Sequence, residues 1–245
     1  MQKIWVCGAR GQIGQAVNDV VDKLEFEMLD TDVDDLDVTD TDEVLRFGEM
    51  NRPDIIINCS GMTDISSCEE NPSQAFKVNA LGARNLAIVA AKMQAKMVQL
   101  STDDVFDGKS TEPYTEFDIT NPGTVYGKSK LAGENYVKEF TTKHFIVRST
   151  WVYGKGQNFI NGFLKKVDAG EQLSIASDQF GSPTSANELA RFLLHLVHTS
   201  EYGTYHATNK GVCSRYAFAQ EILKMTGKTA SMQPVPTVMS DFSKV

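Results

Sequence analysis

Gly8-Ala9-Arg10-Gly11-Gln12-Ile13-Gly14 stands between an apolar run, Ile4-Trp5-Val6-Cys7, and a helical stripe of Ile13, Val17, Val20 and Val21. A glycine-rich turn that joins a buried strand to an amphipathic helix restricts the fold more than any other stretch of this chain. The glycines allow a tight turn and close backbone approach, and the helix that follows offers unpaired N–H groups to an anion. In this setting G-x-x-G-x-x-G predicts a dinucleotide site built from Gly8, Arg10, Gly11, Gln12, Ile13 and Gly14, with a pyrophosphate on the helix N-terminus. A glycine turn without ligand function is the competing reading, and the flanking strand and helix weigh against it.

The same strand–helix rhythm continues through the first two-thirds of the chain. Phe26-Glu27-Met28-Leu29, Ile55-Ile56-Ile57-Asn58-Cys59, Met97-Val98-Gln99-Leu100 and Phe145-Ile146-Val147 read as strands. Helices are expected over 40–50, over 72–93 as one long element, and after Asn121-Pro122. Continuous apolar strands separated by amphipathic helices imply an α/β fold with a doubly wound, Rossmann-like parallel sheet covered on both faces. After Trp151 the rhythm breaks into Gly154, Gly156, Gly162, Gly181 and Pro183, as expected of inserted substrate-binding structure. A helix over 187–198 and a strand near Tyr205 return to the sheet, a further helix spans 214–225, and the tail from Gln233 carries little pattern. The expected division is a dinucleotide-binding domain of residues 1–150 plus 184–206 and a smaller C-terminal substrate-binding domain of residues 151–183 plus 207–245.

With a net charge of −8 the chain lacks the basic face that a nucleic acid or an anionic membrane would require. No apolar run approaches the ~20 residues of a membrane helix, and no signal peptide precedes Lys3. Cys7, Cys59, Cys68 and Cys213 form neither C-x-x-C pairs nor a dense framework, which fits a reducing cytoplasm.

Two signals bear on the choice of nicotinamide cofactor, and they conflict. Asp30, read as closing the second strand, favours NAD by accepting from ribose hydroxyls, whereas Arg10 favours NADP by pairing with a 2′-phosphate. Asp37 and Val38 are expected to flank the adenine, although the acidic run over 30–42 also reads as a solvated loop. Farther on, Tyr126 and Lys130 lie one helical turn apart on a shared face. A cation there favours phenolate and lowers the phenol from its reference of ~10. Ser101-Thr102 ends a strand at the carboxyl edge of the sheet, where open α/β folds bind ligands. A Thr102 hydroxyl can hold a substrate oxygen while Tyr126 moves a proton.

Taken in order, these motifs resemble those of the dTDP-4-dehydrorhamnose reductase family. Gly8 to Gly14 is similar to its G-x-x-G-Q-x-G, and Asn58-Cys59-Ser60-Gly61-Met62-Thr63-Asp64 to its N-x-A-A-Y-T segment. Ser101 to Gly108 reads S-T-D-D-V-F-D-G against S-T-D-Y-V-F-D-G. Tyr126-Gly127-Lys128-Ser129-Lys130, Arg148-Ser149-Thr150-Trp151 and Asp178-Gln179-Phe180-Gly181-Ser182-Pro183-Thr184 follow in register. The resemblance implies reduction of the C4 ketone of dTDP-4-dehydro-L-rhamnose by NADPH or NADH. It further implies that Thr102, Tyr126 and Lys130 are catalytic, that Cys59, Ser60 and Gly61 face the cofactor, and that Thr63 and Trp151 lie near the sugar.

Asp104 stands where the family pattern has Tyr, and Met62 replaces another aromatic. A carboxylate at 104 either opposes an anionic sugar nucleotide or receives an amino or hydroxyl group of a different sugar. The pattern's R-P-x-x-S-x-L segment does not occur before Val245, as in a shorter relative or a truncated chain. Alternatives are another sugar-nucleotide reductase or epimerase, or a catalytically silent NADP-binding subunit like the regulatory subunit of methionine adenosyltransferase. No metal site is expected, because His195 and His198 sit in a helix that otherwise reads as core packing. Magnesium at a subunit interface is left open, as is a homodimer through helices flanking the sheet.

Overall fold

The computed structural model describes residues 1–239. In chain order its elements are β1 (Gln2–Cys7), α1 (Gln12–Val20), β2 (Phe26–Thr31), α2 (Thr41–Asn51), β3 (Ile55–Asn58), α3 (Ile65–Glu70) and α4 (Pro72–Phe76). A π-helical segment (Lys77–Gly82), α5 (Ala83–Met93), β4 (Lys96–Thr102), a 3-10 turn (Asp103–Val105), α6 (Val125–Phe140) and β5 (His144–Ser149) follow. Then come β6 (Val152–Tyr153), α7 (Phe159–Asp168), β7 (Leu173–Ala176), β8 (Phe180–Gly181), β9 (Thr184–Ser185) and α8 (Ala186–Val197). The remaining elements are β10 (Gly203–His206), β11 (Cys213–Ser214), α9 (Arg215–Thr226), β12 (Met232–Val235) and a 3-10 turn (Thr237–Met239).

The central sheet has the order β10-β5-β4-β3-β1-β2, with every pairing parallel. Alternation along each strand sends its side chains to opposite layers. Ile4, Val6, Ile55, Ile57, Val98 and Val147 pack with α1 and α8 on one face, while Trp5, Cys7, Ile56, Met97 and Ile146 pack with α2 and α5 on the other. Strands buried on both faces explain the unbroken apolar runs in the sequence.

One expectation is refined and one is corrected. The helix over 72–93 runs unbroken as expected, but a π segment sits within it between α4 and α5. Its extra residue lets Asn79 turn inward, where it accepts from Met62 N (2.8 Å) and donates to Met62 O (2.9 Å) and Ser129 Oγ (2.9 Å). The tail from Gln233 does carry structure, since β12 pairs in parallel with β7. Pro234 reads as a breaker in sequence, yet a strand at the edge of a two-stranded sheet tolerates its missing N–H. The last part of that tail, 240–245, lies outside the described residues. A third core cluster of Phe163, Leu173, Ile175, Ala219 and Ile222 is drawn from α7, β7 and α9.

Candidate active site

The glycine turn folds as its sequence requires. Gly8 N and Ala9 N both donate to Thr31 O, and Gly11 N returns to Gly8 O. Gly8 has φ +75°, and a Cβ there would meet Ser60 N at 2.7 Å. At Gly14 a Cβ would meet Gly8 O at 2.4 Å, so the turn and the helix start touch backbone to backbone. In front of this turn opens a cavity of about 390 Å³. Gly8, Gly11, Asp37, Val38, Cys59, Ser60 and Gly61 line it, seven of the residues expected at the cofactor. A glycine cradle at a helix N-terminus facing a cavity of this size fits a dinucleotide.

The other expected cofactor residues lie elsewhere. Asp30 is exposed and does not line the cavity; β2 continues to Thr31, and Asp32, just after it, lines the cavity with Asp37. Arg10 points outward, its guanidinium bridging Asp34 (2.7 Å) and Asp35 (2.6 Å), which raise its pKa further, and its backbone N–H donates to Asp32. Gln12 joins the turn to the later part of the chain through Val152 O (2.9 Å) and Asn158 Nδ2 (3.0 Å). Ile13 packs against the first core cluster.

Tyr126 and Lys130 enter on α6, whose N-cap Thr124 accepts from Gly127 N at 3.0 Å. Gly127 lets the helix lie against the turn after β4, because a Cβ there would fall 2.0 Å from Asp104 O. Gly127→Ala therefore pushes α6 off this turn and lowers stability by about 1–3 kcal/mol, measurable by urea unfolding.

The half-buried Tyr126 phenol lies beside Thr102 and Asp104. Burial and the Asp104 and Asp103 carboxylates raise its pKa above the ordinary phenol value, while the Thr102 hydrogen bond opposes them. This reverses the expected lowering by Lys130, whose ammonium instead lies near Gly61, Cys59 and Glu134. Burial lowers Lys130 to about 8, with Glu134 and Cys59 opposing, so it is charged at neutral pH. Thr102, 6 % exposed, accepts from Asp104 N and donates to Asp103 Oδ1, both at 3.2 Å. Ser101 faces away and donates to Glu134 Oε1 at 2.6 Å. Thr63 is exposed beside Gly61.

Several residues at the site were not singled out by the motifs. Asp103 is exposed on one side yet surrounded by protein, and accepts from Thr150 Oγ1 at 2.6 Å. Burial raises its pKa. The Arg215 guanidinium lies 3.6 Å over the ring of Trp151 and 4.7 Å from that of Phe159. Trp151 has φ +46°, a left-handed conformation rare for a bulky residue, and its other side is closed by Gly181, where a Cβ would meet the indole at 2.6 Å. Behind the site, Glu134 (fully buried) accepts from Arg148 Nε (2.9 Å) and Nη2 (2.7 Å).

The RmlD substrate binding domain family model matches residues 1–244. A dTDP-4-dehydrorhamnose reductase structure from Clostridium acetobutylicum is 43% identical, covers 97% of this chain and 85% of its own, and superposes with a TM-score of 0.95. The dTDP-4-dehydrorhamnose reductase of Bacillus anthracis, solved in complex with NADP, is 38% identical over 97% of this chain and 85% of its own, with a TM-score of 0.94. The spore coat polysaccharide biosynthesis protein SpsK of Bacillus subtilis is 35% identical over 97% of this chain and 84% of its own. The glycine cradle, the Thr102–Tyr126 pair and these matches over nearly the whole chain agree: the protein belongs to the dTDP-4-dehydrorhamnose reductase family.

Proposed function

We propose that the protein reduces the C4 ketone of a nucleotide-activated 6-deoxysugar, with dTDP-4-dehydro-L-rhamnose as the first candidate and dTDP-L-rhamnose as its product. What carries this reading is the placement of the Tyr126 phenol beside the Thr102 hydroxyl at the end of β4, with Lys130 one turn further along α6. Reduction makes an alkoxide, which needs a proton donor; oxidation of an alcohol needs the opposite, a phenolate. A bound nicotinamide cofactor supplies the hydride. Thr102 and Tyr126 hold the ketone oxygen, Tyr126 donates the proton, and the Lys130 ammonium stabilises the phenolate left behind. Thr63 and Trp151 are assigned to the sugar. Isotope-labelled cofactor distinguishes this from epimerisation, because only net reduction leaves the label in a C4 alcohol. A protein that binds the cofactor yet oxidises it with no 4-ketosugar would fall to the silent-subunit alternative.

Residues 1–150 plus 184–206 are assigned to the cofactor and 151–183 plus 207–245 to the sugar nucleotide. The third core cluster, separate from the two that sandwich the sheet, supports this division. Four free cysteines support a reducing, cytoplasmic setting, and no helix among the described residues is long and apolar enough to cross a membrane.

The Bacillus anthracis relative was solved with NADP, and either nicotinamide cofactor is open to the family; at the adenosine end of this chain the charges favour NADH. Asp32 and Asp37 line the cavity, and Arg10, the cation of the glycine turn, is held by Asp34 and Asp35. A 2′-phosphate would bring about −1.5 to −2 charge toward these carboxylates. Fluorescence titration is expected to show NADH binding at least about tenfold more tightly than NADPH. Tighter NADPH binding would mean that Arg10 leaves its carboxylates for the phosphate.

A further inference from the structure

We propose that Arg215 is a positioning residue, which clamps the indole of Trp151 in the strained conformation from which that side chain meets the sugar. This rests on the assignment of Trp151 to the sugar made above and names the group that holds it there.

At φ +46° a bulky residue occupies a backbone region that is unfavourable and persists only where its surroundings dictate it. A two-stranded ribbon supplies those surroundings. β8 and β11 pair antiparallel with Cys213 opposite Gly181, which brings Gly181 and Arg215, the first residue of α9, to the same indole. Gly181 backs the ring so closely that a Cβ would fall 2.6 Å from Trp151 Cε2 and 2.9 Å from Cδ2 and Cζ2. The backbone is tied at the same place, since Trp151 O accepts from Thr184 N at 3.2 Å.

Arg215 closes the other face. Its Cζ lies 3.6 Å from the centre of the Trp151 ring and 4.7 Å from that of Phe159, and the residue is 5 % exposed. It is fixed from behind, its backbone N–H donating to Gln179 O at 2.9 Å and its Nε to Gln179 Oε1 at 3.4 Å. Among the described residues it pairs with no carboxylate. A buried cation without a counter-ion is costly, and here the aromatic faces offset that cost. Shape matters as well as charge, because a planar guanidinium lies flat on an indole and an ammonium does not.

With both faces engaged the indole has no room to turn, and only its edge is left to a ligand. The N–H on that edge donates to no described residue and is not sealed from water. Without Arg215 one face is uncovered, the backbone is free to relax out of the left-handed region, and the edge loses its aim. Arg215 therefore acts on the sugar through Trp151.

The test is a double-mutant cycle read by calorimetric titration of dTDP-L-rhamnose into the cofactor-loaded protein. Arg215→Ala is expected to weaken binding about tenfold, and Trp151→Ala by at least as much. The double variant should bind as Trp151→Ala does, within about twofold. Penalties that multiply, to about 100-fold or more, would mean that Arg215 contacts the sugar nucleotide itself, and they overturn the proposal. Arg215→Lys keeps the charge and loses the plane, so it should bind nearly as weakly as Arg215→Ala; wild-type binding in that variant overturns the clamp. Acrylamide quenching reads the clamp without any sugar. Of the two tryptophans Trp5 is fully buried, so the increase expected in Arg215→Ala reports Trp151, and unchanged quenching overturns the proposal. Thermal melts check that each variant is folded, and Arg215→Lys replaces Arg215→Ala in the cycle if the latter is not. Trp151→Ala binding as tightly as wild type overturns the sugar assignment instead, and quenching then decides the clamp alone.

Discussion

Tyr126→Phe is expected to lower kcat by about 10²- to 10⁴-fold while the protein folds and binds its nicotinamide cofactor as before. The substitution removes one oxygen and keeps the ring on the same face of α6. In the proposed mechanism that oxygen donates the proton; it lies beside Thr102, and burial and Asp104 raise its pKa. Stopped-flow loss of NADH absorbance with a 4-ketosugar measures the turnover, and fluorescence titration measures the binding. Turnover within a few-fold of wild type would mean that another group donates the proton. The pH profile adds a second check. Lys130 must be an ammonium to stabilise phenolate, and its pKa stands at about 8 because burial disfavours the charge. The ammonium is present below that value and lost above it, so kcat should decline as the pH rises through about 8. Lys130→Met should abolish that decline along with most activity.

Glu134→Ala is expected to cost about 3–5 kcal/mol of stability, read from urea or thermal unfolding. Glu134 is fully buried and takes three hydrogen bonds, two from Arg148 and one from Ser101. Removing it strands Arg148, which is 4 % exposed and already has an unpartnered Nη1. A cation left alone in the interior, and not the lost attraction, dominates the penalty. Glu134→Leu combined with Arg148→Met should therefore recover most of it, since the burial of both charges disappears together. Equal losses in the single and double variants would assign the cost to packing around α6.

Much of this architecture was legible in the sequence because the decisive patterns are local. Ile55-Ile56-Ile57 can hardly be anything but a strand buried on both faces, and Gly8 to Gly14 binds its meaning to the strand before it and the helix after it. What local pattern missed was position by a residue or two and partnership across the chain. The apolar run ends at Leu29 and so points to Asp30, whereas the strand's hydrogen bonding continues to Thr31 and carries the cavity carboxylate on to Asp32. Arg215 gives no signal in the sequence, because its stacking on Trp151 and Phe159 joins residues far apart in the chain. Glu134 was detectable, since it stands one helical turn beyond Lys130 on the buried side of α6. Helical spacing places Lys130 near Tyr126 without revealing that burial and two carboxylates raise the phenol's pKa.

The π segment has a consequence for how this chain can change over generations. Between Lys77 and Gly82 the helix carries one residue more than regular geometry would use, and the excess aims Asn79 at both backbone groups of Met62. A one-codon deletion there would straighten the helix and swing Asn79 about 100° off its target, releasing the loop that carries Gly61 toward the cofactor cavity. Substitutions on the outer face can drift freely, but the number of residues in this helix cannot. Its length is inherited with the site, and an insertion or deletion here marks a descendant that has given up the chemistry.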